Sequence, residues 1–236
     1  MNNSQQLSLE IVLDDQATFE NFYAPRGSTH YLATMILQDS HQQFAYLLGS
    51  AGSGLSHLLQ AACQKRPFER HNGAIYLPMK ELQDYQPQQI LDGLHQLELV
   101  CLDDLHLVSN KTEWQVPLFN FFNDCKQSGA RLVFASQKAP DELGVSLADL
   151  LSRLKSGLIH RLADYSDEDL RRLLQLRANV RGMYLSDEVA KFLMHRLRRD
   201  TKSLMNALET LDRTSLQEQR RLTLPFVKSA LGLKTP

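Results

Sequence analysis

The stretch Gly49-Ser50-Ala51-Gly52-Ser53-Gly54-Leu55-Ser56 constrains this chain more than any other. It follows the apolar run Phe44-Ala45-Tyr46-Leu47-Leu48 and opens into Ser56-His57-Leu58-Leu59-Gln60-Ala61-Ala62-Cys63. A buried strand, a glycine-rich turn and a helix form the setting in which backbone N–H groups cradle phosphate oxygens at a helix N-terminus. The pattern G-x-x-x-x-G-K-[ST] is met at Gly49, Gly54 and Ser56 and broken at Leu55, which stands where lysine belongs. The missing lysine removes a charge that, at ~4 Å and an effective dielectric near 20, is worth roughly 4 kcal/mol before desolvation. The loop is therefore expected to hold a diphosphate through Gly52, Ser53, Gly54, Leu55, Ser56 and His57, and to grip a γ-phosphate poorly. The plainer alternative is a glycine-rich β–α turn with no ligand.

Composition narrows the setting. A chain of 236 residues, 43% hydrophobic and 22% charged, can bury a sizeable core in one large or two small domains. No apolar run reaches the length of a membrane span, and no basic segment followed by an apolar core opens the chain. The three cysteines, Cys63, Cys101 and Cys125, lie far apart without a C-x-x-C, which fits a reduced cytoplasm and argues against a zinc site. Charge is unevenly spread: residues 1–150 carry 9 basic and 17 acidic side chains, and residues 151–236 carry 17 basic and 10 acidic. The split points to two regions, the second with an arginine-rich surface open to an anionic partner or simply solvated.

Residues 1–16 read as a flexible segment in which Leu7, Leu9 and Ile11 alternate with Ser8 and Glu10. Helices are expected over residues 28–37, 88–96, 114–127 and 147–155. Strands are expected at 44–48, 73–78, 97–102, 131–136 and 158–162. The third strand ends in Asp103 and Asp104. One carboxylate at that position would hold Mg²⁺ with Ser56, and the second, Asp104, would polarise an attacking water. A pair of turn aspartates is the alternative. Strand–helix alternation over residues 17–164 argues for an α/β domain with a parallel sheet and flanking helices. Residues 165–236 read as a small all-helical domain of four helices, opened at Ser166, Ser186, Thr201 and Thr223, the second running to about residue 199.

A degenerate P-loop, an Asp-Asp strand end and a trailing four-helix lid together resemble an AAA+ protein. Phe19-Glu20-Asn21-Phe22, the run from Gly54 to Ala61, Leu102-Asp103-Asp104 and Leu151-Ser152-Arg153-Leu154 resemble the nucleotide-binding domain of the bacterial initiator DnaA. The match starts near residue 17 and ends with the lid. Gln6-Leu7-Ser8-Leu9 resembles the peptide that replication proteins insert into the β sliding clamp, leucines filling a pocket while the glutamine amide fixes orientation. This combination is similar to the Hda family of DnaA-related regulatory inactivators.

The resemblance implies a nucleoside diphosphate, usually ADP, as cofactor, with Mg²⁺ as a further candidate. It implies DnaA and the DNA-loaded sliding clamp as partners, with self-association a further expectation. No membrane and no sequence-specific DNA contact are implied, and the protein would be cytoplasmic. It also implies that Arg153 acts as an arginine finger in trans on ATP held by DnaA, which represses re-initiation of replication. Phe22 is placed near the base, and Lys202 where the family carries a sensor arginine; lysine keeps the charge but loses the bidentate fork. Ser28 or Thr29 stands where DnaA-like proteins have asparagine near the base. Two other readings compete: a DnaA-like or helicase-loader-type AAA+ ATPase acting on its own nucleotide, and an interaction module without a nucleotide.

Overall fold

Apolar runs with no polar alternation make strands that are covered on both faces, and four such strands with a more exposed fifth build the sheet of this protein. The computed structural model describes residues 13–39, 41–65 and 73–233. Contacts divide the chain between Ala163 and Asp164. In the first unit the strands are β1 (Phe44–Leu48), β2 (Ala74–Pro78), β3 (Leu99–Asp103), β4 (Arg131–Ser136) and β5 (Leu158–Arg161). They are hydrogen-bonded in the order β2-β3-β4-β1-β5, every pair parallel. The helices are α1 (Thr29–Gln38), α2 (Leu55–Gln64), α3 (Met79–Leu82), α4 (Pro87–Leu91), α5 (Thr112–Ser128) and α6 (Ala148–Lys155).

Strand alternation sorts the core into two clusters. Tyr46, Leu48, Val100, Leu102, Leu132 and Phe134 pack with Trp114, Phe122 and Leu150. Ala45, Leu47, Leu99, Cys101, Val133 and Ala135 pack with Leu55, Leu58, Leu59 and Ala33 on the opposite face, beneath α1 and α2. Asp103 shares the parity of Leu99 and Cys101, so the last residue of β3 faces α2. Arg131, at the start of β4, reaches under α1. Its guanidinium donates to the carbonyls of Ile36, Leu37 and Gln42 at 2.6, 2.7 and 2.9 Å. A cation on the last carbonyls of a helix satisfies acceptors that have no partner in the helix and complements its dipole.

Two elements of the first unit depart from expectation. The helix expected over residues 88–96 is α4 followed by a 3-10 turn, Leu94–Gln96. Gly93 separates them at φ 76, a left-handed value that no continuous helix accepts. The short α3 lies where no helix was expected, directly after Pro78.

The second unit holds α7 (Asp167–Val180), α8 (Asp187–Arg196), α9 (Thr201–Glu218) and α10 (Leu224–Ala230). Ser166 and Asp169 close a reciprocal capping box on α7. Ser186 caps α8 by accepting from the Val189 N–H. This helix stops at Arg196, short of the expected residue 199, because Asp200 turns away to cap α9 through the Ser203 N–H at 2.8 Å. Leu174, Leu193, Leu208, Leu211 and Phe226 form the buried interior of this unit.

Candidate functional site

The loop after β1 lies at the C-terminal edge of the parallel sheet, beside its neighbours β4 and β5, where open α/β sheets place ligands. Gly54 caps α2 in the left-handed region, φ 93 and ψ 13, with no side chain bonded to the helix's first N–H groups. A Cβ at Gly54 would come within 2.6 Å of the Phe22 ring, so both the backbone angle and the close approach demand glycine. The first intrahelical bond in this turn is Leu58 N–H to Gly54 carbonyl. The N–H groups of Leu55 and Ser56 precede that bond at the start of the helix, the arrangement that receives phosphate oxygens. Ser53, 3% exposed, donates its backbone N–H to Ser50, while its Oγ has no hydrogen-bond partner.

Leu55 is 7% exposed and packs into the core beneath α2. Its side chain is part of the apolar cluster, where a P-loop lysine would extend toward phosphate. Phe22 belongs to the same cluster, its ring centroid 5.3 Å from the His57 ring and 6.1 Å from that of His30. His57 Nε2 is hydrogen-bonded to the Thr18 carbonyl at 2.7 Å, so the imidazole anchors the N-terminal segment. Ser28 caps α1, and Thr29 Oγ1 accepts from the Ala163 N–H at 2.9 Å.

Across from Ser56 stands Asp103, 3% exposed. One carboxylate oxygen, Oδ2, accepts from the Tyr76 hydroxyl at 2.7 Å, and Oδ1 accepts from the Asp104 N–H at 2.9 Å. Ser56 is a third hydrogen-bonding partner of the carboxyl. Burial pushes the Asp103 pKa above the ordinary carboxyl value, against the pull of the Ser56 and Tyr76 hydrogen bonds. Ser56 and Asp103 are oxygen donors of the kind Mg²⁺ takes. Among the described residues no three His, Cys, Asp or Glu side chains converge, so Mg²⁺ here would rely on these two, on water and on a nucleotide's phosphates. Asp104 has a left-handed backbone, φ 54, and its Oδ1 lies 3.9 Å from His106 Nδ1.

Arg153 occupies the last turn of α6, half-buried, with its guanidinium carbon 6.0 Å from the centre of the Phe119 ring. No ion pair involves it among the described residues, whereas the neighbouring Lys155 pairs with Asp141. The helix beneath it is held from α5. Leu147, at the N-cap of α6, offers no side-chain acceptor. Gln115, buried in α5, fills that role. Its Oε1 accepts from the Leu147 N–H at 2.9 Å, the Ser146 N–H at 3.1 Å and the Ser146 hydroxyl at 2.9 Å.

Ser53, Ser56 and Asp103 are thus brought together in the first unit with the loop glycines. Lys202 stands in the first turn of α9, in the second unit. Gln6, Leu7, Ser8 and Leu9 lie outside the described residues. Sequence reasoning missed Tyr76, Gln115 and Arg131. Each is a polar side chain within or beside an apolar run, a weak signal visible only once its partner is known.

Two families match in succession. Residues 13–161 match the bacterial DnaA ATPase domain and residues 167–231 match the lid domain of Hda. Among solved structures the chain is similar to domain III of the replication initiation protein DnaA from Thermotoga maritima. That likeness has 22% identity and a TM-score of 0.77, and covers 94% of this chain and 98% of the other. AMPPCP-bound DnaA from Aquifex aeolicus matches at 21% identity and a TM-score of 0.70, over 89% of this chain and 71% of that one. The RuvB Holliday junction branch migration motor of Thermotoga maritima follows at 16% identity and 0.66, covering 92% and 72%. At these identities the likeness is one of fold: an AAA+ sheet with flanking helices, then a helical lid.

Proposed function

This chain belongs to the family of the bacterial DnaA ATPase domain and carries an Hda-type lid, and from that premise we propose that it is a regulatory adaptor acting on DnaA. It holds a nucleoside diphosphate, ADP, in its own degenerate loop and supplies Arg153 to ATP bound by DnaA. What supports this reading is one contrast. The loop keeps its phosphate-facing N–H groups but buries Leu55 in the core, while Arg153 rests on Phe119 without an ion pair among the described residues. A site that grips a γ-phosphate poorly and a presented arginine together suit a protein that works on a neighbour's nucleotide.

In this mechanism the N–H groups of Gly54, Leu55 and Ser56 bind the diphosphate. Ser56 and Asp103 are the residues that would hold Mg²⁺, which supplies charge compensation at the phosphates when bound. Asp104 is the carboxylate available to orient a water. Arg153 stabilises charge developing on the γ-phosphate in the partner's site, a contribution of about 10³ or more in turnover for arginine fingers generally. Gln6, Leu7, Ser8 and Leu9 dock into the sliding clamp on DNA and bring the finger to where DnaA is to be inactivated. Such an adaptor works in the cytoplasm. Among the described residues no helix is long and apolar enough to cross a membrane.

The test is hydrolysis of ATP preloaded on DnaA, with clamp on DNA present. The chain should accelerate conversion to ADP–DnaA, and a variant with Leu7→Ala and Leu9→Ala should not, while still binding ADP. Turnover by the chain alone, with no effect on DnaA, would instead support the reading as an ATPase acting on its own nucleotide.

A further inference from the structure

Tyr76 is not part of the P-loop pattern, yet it touches the site's central carboxylate. It sits on β2 at the edge of the sheet, paired in register with Cys101, two residues before Asp103. Its ring packs into the cluster beneath α2, and its hydroxyl reaches Asp103 Oδ2 at 2.7 Å, with Ser56 and Gln60 of α2 also in hydrogen-bond reach. A carboxylate offers about four lone-pair sites. Here the Tyr76 hydroxyl, the Asp104 N–H and Ser56 engage three of them. Ser56 can turn its oxygen to a cation while still donating to Asp103. The Asp104 N–H is fixed by the chain. Tyr76 is therefore the side-chain donor that competes with a metal-bound water for Oδ2 of Asp103.

We propose that Tyr76 sets the metal dependence of the nucleotide site, holding Asp103 Oδ2 in a hydrogen bond so that a nucleoside diphosphate binds with little help from Mg²⁺. The inference rests on the nucleotide-binding reading above. Tyr76 acts through Asp103 and is a positioning residue; it makes no contact with phosphate.

The experiment is calorimetric titration of the full chain with ADP, in Mg²⁺ and in EDTA, for wild type and Tyr76→Phe. Phenylalanine keeps the buried ring and removes only the donor. Wild-type affinity should differ by less than about threefold between the two buffers, and Tyr76→Phe should widen the ratio to about tenfold, the worth of one hydrogen bond to a charged group. Thermal unfolding of the two proteins in EDTA without nucleotide checks that the variant is folded. An equal Mg²⁺ response in wild type and folded variant would overturn the inference while leaving nucleotide binding intact. A wild type that loses about tenfold or more in EDTA overturns it whatever the variant does. Absence of ADP binding in every arm would remove the nucleotide reading itself.

Discussion

At the scale of single residues, the proposed preference for a diphosphate turns on Leu55. It replaces a phosphate-seeking lysine with a side chain that belongs to the core. Leu55→Lys should tighten ATP relative to ADP by about tenfold, since even a well-solvated charge pair near phosphate is worth more than 1 kcal/mol. It should also cost about 2 kcal/mol of stability through lost apolar burial. Parallel titrations with ATP and ADP check the first effect and denaturant unfolding the second; an unchanged nucleotide preference would mean the loop does not hold phosphate as argued. Leu55, Ser56, Asp103 and Asp104 were legible because they sit at fixed offsets in short motifs. Tyr76, Gln115 and Arg131 were not, because their partners lie 27, 31 and up to 95 residues away and only the fold brings them together.

At the scale of elements, the strands were legible because most are built on apolar runs, and most helices because a cap or a glycine marks an end. The break at Gly93 and the stop of α8 at Arg196 were hidden. In both places the helical spacing of residues continues past the point where backbone geometry or the next cap ends the helix. The element that carries the proposed arginine finger is α6, whose N-terminus is held by Gln115. Gln115→Ala should cost about 2 kcal/mol, leaving three donors at that turn without their acceptor. It should also weaken stimulation of DnaA more than it weakens ADP binding; equal losses would mean α6 is not the part it supports. In the lid, Glu168 on α7 is held at about 2, below the model-compound value of 4.5, by hydrogen bonds from Arg171 and Arg172. Because the folded value is depressed, its contribution to stability is present above the unfolded value and lost as pH falls toward about 2. NMR titration of the Glu168 carboxyl should show that low midpoint, and Arg171→Gln should move it upward. The group is exposed to solvent, so added salt should shrink the effect.

At the scale of the whole molecule, the order of strands and helices pointed to a parallel α/β unit followed by a helical one, the resemblance of the motifs pointed to an AAA+ protein with a lid, and the family matches and fold carry that reading. The peptide at residues 6–9 and the assignment of Arg153 came from resemblance. Four residues and one arginine have no fold of their own to announce them. The account makes this molecule an adaptor whose own nucleotide is a ligand and whose chemistry is delivered to another protein. The direct test is hydrolysis of ATP preloaded on DnaA, with clamp on DNA, comparing wild type with Arg153→Ala. The account predicts that wild type accelerates hydrolysis, while Arg153→Ala binds ADP and clamp normally and accelerates it by at least about 10³-fold less. Full stimulation by Arg153→Ala would contradict it.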